Sequence, residues 1–271
     1  MDGFKESARK YTEHDLIRAH VALPKFPELR TRVLAAFLKY GMEKAPHPKL
    51  QEAIGLAVSL MQHGLDTHEL VEGGGADRRR QMAVLAGDYF SSRFYRLLAQ
   101  EGSVQTIRLI SQAVCEVNRL KASMYMKAKR LLLTADEYLR ARIDMDTMLY
   151  TAFASWMDPK YRSACPAVLR AFAVCELLAD EMDRLPPASG DRGWAYWYVL
   201  EHGTKEEAEW LARGKPDDAR WQKIQLKYNL IGRLTGLWES KIAELKSLLR
   251  SIGSDKLAEE LNRLAEPLIA A

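Results

Sequence analysis

Apolar positions along the chain recur at steps of three and four almost throughout, and no stretch alternates apolar with polar residues over the length of a strand. The period predicts helices, interrupted at Pro24 to Pro27, 44–49, 72–77, 101–103, 156–159, 186–191 and 212–218, each break rich in Pro, Gly or Asp. The segments between breaks run to roughly 15 to 30 residues, near the upper end for globular helices. No internal repeat of fixed period is present, and no break is long enough to be a linker. One all-α domain over residues 1–271 is the expectation.

Two of these helices carry unusual stripes. In the first, Met82, Leu85, Tyr89, Phe94 and Leu97 fall at helical spacing, with the small residues Ala86, Gly87, Ser91 and Ser92 set among them. A glycine inside a helix costs about 1 kcal/mol relative to alanine, so Gly87 implies the close approach of another backbone. In the second, Ile107, Ile110, Val114, Val117, Met124 and Leu131 share one register with Lys121, behind Ser103 as a suitable N-cap. The plain reading turns both stripes into the chain's own core; a subunit contact is the other.

Composition narrows the function classes. With 48% hydrophobic and 28% charged residues, the chain is ordinary globular material, able to build one large core or two modest ones. A net charge of +4, from 40 basic and 36 acidic residues, gives no reason to expect nucleic acid. Cys115, Cys165 and Cys175 form no CxxC pair, which suits reduced, buried thiols. The opening MDGFKESARKYTEHD is too polar for a signal peptide, and no run approaches the roughly 18 apolar residues of a membrane span. A soluble, cytoplasmic protein with no transmembrane segment is expected.

Candidate chemistry is sparse. Asp66, Glu69 and Glu72 lie three apart, near enough on a helix for a divalent cation or for solvated charge. His63 and His68 are five apart, whereas a two-histidine metal face needs four. Asp180, Glu181 and Asp183 crowd one turn, which reads as exposed and solvated. Both acidic groups are ordinary charged helix ends on the plain reading. No nucleophile elbow, phosphate loop or dinucleotide fingerprint is present, and EGGGAD (72–77) reads as a turn. The aromatics Trp194, Tyr196, Trp197 and Tyr198 suit packing between helices better than a ligand channel.

The stretch AVLAGDYFSSRFYRLLA (83–99) closely resembles the VLAGDYL helix of trans-polyprenyl diphosphate synthases. Joined to LDTHELV (65–71) and the preceding RRRQM (78–82), it is similar to the small, non-catalytic component 1 of heterodimeric heptaprenyl diphosphate synthases. The likeness is strong from about Leu56 to Leu98 and weaker from Arg30 to about Lys246. It implies an isoprenoid-synthase-like helical bundle whose 82–99 helix lies at a subunit interface, with Leu85, Gly87, Tyr89 and Phe94 contributing. The family's first DDxxD motif falls on Asp66, with Thr67 and Leu70 where acids belong, and a register one turn earlier puts His63 or Gly64 there. The second motif keeps Asp180 and Glu181 but ends on Arg184. The Gly-Gly-Lys-Arg diphosphate motif is reduced to PELRTRV, with Arg30 and Arg32, and the lysine of the Lys-Thr pair becomes Asp146. Arg78 to Arg80 lie too close to the VLAGD helix to be the arginines that follow the first motif.

The resemblance therefore implies no catalytic or metal residues here, the degenerate positions being Asp66, Glu69, Asp180 and Glu181, and no cofactor in this subunit. It implies a catalytic component 2 that holds Mg²⁺ and binds farnesyl and isopentenyl diphosphate. Together they would make the C35 chain for menaquinone, with this subunit helping to set its length. Two other readings stay open: a self-sufficient, divergent Mg-dependent prenyltransferase or terpene synthase, and a helical adaptor unconnected with isoprenoids.

Overall fold

A computed structural model describes residues 2–70, 78–185, 192–213, 217–253 and 255–270, and among them every regular element is a helix. In chain order these are α1 Asp2–Thr12, α2 Asp15–His20, α3 Glu28–Tyr40, α4 Pro48–Glu69, α5 Arg78–Gln100, α6 Val104–Lys129 and α7 Ala135–Thr151. A 3-10 turn, Ala152–Trp156, leads to α8 Ala164–Asp183, α9 Trp194–His202, α10 Lys205–Ala212, α11 Asp218–Tyr228, α12 Leu230–Arg250 and α13 Asp255–Ala270. The all-α expectation holds. No helix among the described residues is long and apolar enough to cross a membrane.

Periodicity alone misses the boundaries α1/α2, α6/α7, α9/α10, α11/α12 and α12/α13, and local chemistry explains the third and fourth of these. Thr204 caps α10 through a capping box with Glu207, which ends α9 at Gly203. Asn229, at φ 47° and ψ 49°, takes the left-handed conformation that Asn tolerates better than most residues, and so separates α11 from α12.

The chain gathers into two compact units. The first takes Met1–Val114, Leu149–Leu169 and Ser254–Leu264; the second takes Cys115–Met148, Arg170–Gly253 and Ala265–Ala271. The chain passes between them within α6, α7, α8 and α13, and again at 253–254.

In the first unit α4 is the central helix. His47 caps it, its Nδ1 accepting from the Leu50 N–H at 3.3 Å, and Pro48 occupies the first helical position, where its missing N–H costs nothing. From Ala53 to Leu65 every residue of α4 is buried, the polar Ser59, Gln62 and His63 included. Against it lies α5, so close that a Cβ on Gly64 would sit 2.9 Å from both the Gly87 carbonyl oxygen and the Ser91 nitrogen. Ala8, Ile17 and Val21 join Leu56 and Leu60 of α4 and Ala83, Ala86 and Phe90 of α5 in one apolar cluster.

The second unit holds Tyr138, Phe172, Trp197, Val199, Leu230, Leu234 and Leu245 out of solvent. Trp194, Tyr196 and Trp197 are buried here, as expected of aromatics that pack between helices, and Tyr198 is half-buried. Of the cysteines, Cys165 and Cys175 are buried with thiols pushed up to about 12 by burial, whereas Cys115 is exposed, contrary to expectation.

Candidate functional site

The end of α4 carries the first acidic group. Asp66 is half-buried and accepts from Gln62 Nε2 at 2.8 Å, one turn back. Thr67 is fully buried, its hydroxyl donating to the His63 carbonyl at 2.6 Å. Glu69 is half-buried, and Glu72 lies outside the described residues. The two histidines diverge. His68 Nε2 reaches Asp88 Oδ1 on α5 at 3.4 Å. His63 is 1% exposed, edge-on to Phe26 at 5.3 Å and against Phe90 at 4.7 Å, and neither ring nitrogen has a hydrogen-bond partner. Burial lowers its pKa to about 4, so at neutral pH it is an uncharged part of the core.

The second acidic group behaves differently from expectation. Asp183 and Arg184 are exposed and Asp180 is half-buried, but Glu181 is only 3% exposed. Its Oε1 accepts from the Tyr138 hydroxyl on α7 at 2.8 Å, and its Oε2 accepts from the Trp194 N–H at 2.6 Å. The reading of this turn as solvated is corrected at Glu181, because a buried carboxylate is tolerable only when donors replace its water. Burial, together with the Glu181 charge, pushes the Tyr138 phenol well above its ordinary range. Gly193 leaves room for this contact: a Cβ there would fall 2.5 Å from Glu181 Oε2. The sequence signal was available, since Gly193 precedes a helix with no capping side chain and so needs an acceptor from elsewhere.

The remaining diphosphate-motif positions are also engaged within the chain. Asp146 lies 4.0 Å from Arg142 Nη2, one turn back on α7. The Arg30 guanidinium stands 6.0 Å from the centre of the Tyr150 ring, and Arg32 pairs with Glu28 at 3.7 Å. Among the described residues, no three His, Cys, Asp or Glu side chains are grouped as a metal ion would require.

The four interface candidates on α5 divide by face. Phe94 is buried, and so is Gly87: a Cβ there would lie 2.6–2.8 Å from three atoms of the His68 ring. Within this chain the space at Gly87 is taken by the His68 side chain of α4. Gly64 and Gly87 let the two helices meet, and the His68 ring fills the space above Gly87. Tyr89 is half-buried and carries the Arg93 guanidinium 4.2 Å from its ring centre. Leu85 is 61% exposed, and Val84 and Tyr95 are exposed on the same helix.

The sequence profile described as heptaprenyl diphosphate synthase (HEPPP synthase) subunit 1 matches residues 14–192. The chain belongs to this family. Heptaprenyl diphosphate synthase component 1 of Geobacillus stearothermophilus is 43% identical over 81 residues, a stretch spanning 30% of this chain and 37% of that protein. In fold, the family member matches geranylgeranyl pyrophosphate synthase from Lactobacillus brevis with a TM-score of 0.77 at 14% identity, over 100% of this chain and 96% of the other. A polyprenyl synthase from Caulobacter crescentus, solved with calcium and isoprenyl diphosphate, matches with a TM-score of 0.70 at 17% identity, over 100% and 94%. In this chain α5 bears the VLAGD stretch, the fold is the isoprenoid-synthase helical fold, and the acids at Asp66 and Glu181 are bonded inside the chain.

Proposed function

We propose that this chain is the non-catalytic regulatory subunit of a heterodimeric heptaprenyl diphosphate synthase. Its partner is a catalytic component 2 with two intact DDxxD motifs, which binds farnesyl and isopentenyl diphosphate and holds Mg²⁺. The pair makes the C35 chain for menaquinone, and this subunit helps to set its length.

The observation that carries the reading is Glu181, whose two oxygens both accept from protein donors. Ionising an allylic diphosphate leaves negative charge on the departing group, and Mg²⁺ gripped by paired carboxylate clusters stabilises it. Glu181 is spent on Tyr138 and Trp194, Thr67 and Leu70 offer no carboxylate, and Asp146 sets a negative charge where a cation would face phosphate. The residues present do not fit the metal–diphosphate group. Support for pairing comes from α5, where Val84, Leu85 and Tyr95 stay exposed on a helix whose other face packs against α4 and the apolar residues Ala8, Ile17 and Val21.

Co-expression with a catalytic subunit, followed by chain-length analysis of the product, tests this reading. A C35 product that needs both chains is expected. Turnover of farnesyl and isopentenyl diphosphate by this chain alone, above a mock preparation, overturns it.

A further inference from the structure

The stripe on α6 does not end as its period suggests. Ile110 and Val117 are buried, but Leu131 lies beyond the helix with φ 56°, the left-handed region that leucine rarely enters. The Leu132 N–H bonds the Lys127 carbonyl at 3.0 Å and the Leu131 N–H bonds the Ala128 carbonyl at 3.1 Å. This is a Schellman cap, in which the left-handed position ordinarily holds glycine and the next residue ordinarily packs back on the helix. Here leucine fills both places and neither packs: Leu131 is 42% exposed and Leu132 is 64% exposed, while Leu133 alone turns inward. A backbone strained in order to present an apolar side chain to water points to a use for that side chain.

Charge indicates the use. From Val117 to Ala135 there are five bases, Arg119, Lys121, Lys127, Lys129 and Arg130, and no acid. Lys127 is bound to Glu137 at 2.8 Å, and the neighbouring Asp136 lies 4.0 Å from Arg140. Lys129 and Arg130 are exposed, and no carboxylate among the described residues is paired with them. Tyr125 and Met126, also exposed, stand one turn back on α6.

We propose that this corner, with Lys129 and Arg130 beside the outward Leu131 and Leu132, docks the protein on an anionic lipid surface. Leucines at the tip enter the boundary between headgroups and acyl chains, and the two bases stay at headgroup level on their flexible stems. Two leucines, even with Tyr125 and Met126, fall well short of the roughly 800 Å² per partner that a stable protein interface buries. For weak, reversible attachment of a chain already bearing basic residues they are sufficient.

Co-sedimentation of the full chain with phosphatidylcholine vesicles, with and without phosphatidylglycerol, tests the proposal. Binding is expected only with the anionic lipid and should weaken as salt rises. Lys129→Gln combined with Arg130→Gln should lower it by about tenfold or more, each charge contributing roughly fivefold. Leu131→Gly separates docking from folding: vesicle binding should fall by about fivefold to tenfold, while the thermal midpoint stays level or rises. The proposal fails if the wild-type chain ignores anionic vesicles or if these variants bind them as wild type does. It fails equally if Leu132→Ser weakens pairing with a catalytic subunit and leaves vesicle binding unchanged.

Discussion

The Trp194 N–H donates to Glu181 Oε2 at 2.6 Å, joining the first turn of α9 to the last turn of α8. A carboxylate at a helix N-terminus satisfies an orphan donor and meets the positive end of the helix dipole. With Tyr138 on the other oxygen, three helices depend on one side chain.

Glu181→Ala should therefore lower stability by about 3 kcal/mol or more, because two buried donors lose their acceptor. Glu181→Gln should cost less, since Tyr138 can reorient to accept from the new amide. Denaturant melts of the isolated chain measure both. If Glu181→Gln instead leaves stability untouched and abolishes Mg²⁺-dependent diphosphate binding, the acid is a ligand and not a fastener.

The seam between α4 and α5 makes an ordered prediction. At Gly64 an added methyl meets backbone atoms at 2.9 Å, whereas at Gly87 it meets the His68 ring, a side chain that can turn aside. Both alanine variants should destabilise the isolated chain, by about 1–3 kcal/mol, with Gly64→Ala the worse. Thermal unfolding followed by circular dichroism gives the order, and the reverse order would mean that His68 cannot move.

Leu85 should behave in the opposite way. Leu85→Glu leaves the core intact, so the thermal midpoint of the isolated chain should hold within a degree or two. Affinity for a catalytic subunit should fall at least tenfold if α5 is the pairing face. Sedimentation with the partner decides, and unchanged affinity would move the pairing face elsewhere.

His63 makes the fold sensitive to acid. Its pKa falls from 6.5 to about 4 on folding, so protons bind the unfolded chain first. Stability is fully present above pH 6.5 and is lost as pH drops toward 4, by about 3 kcal/mol in all. His63→Phe, which suits a site between Phe26 and Phe90, should remove this part of the pH dependence. Melts at pH 7 and pH 4.5 for both chains measure the difference, and equal slopes would assign the acid sensitivity to other groups.

The helices were legible because α4 and α5 carry their burial pattern in the sequence itself. Thr204 and Glu207 spell a capping box that periodicity passes over, since the polar run EHGTKEEAE (201–209) around it carries a single glycine and no proline to mark a break. Gly87 announced a close approach but not whose, because a small residue records the distance to a neighbour and nothing about that neighbour's chain. Glu181 is hidden in the sequence for a related reason. Acidic clusters are usually solvated, and its donors come from Tyr138 and Trp194, 43 and 13 residues away.

The helix α13 donates Leu257, Leu261 and Leu264, all buried, to the first unit and its last turns to the second. Removing α13 would therefore strip buried leucines from one unit and residues from the other in a single cut, so the two share one point of failure.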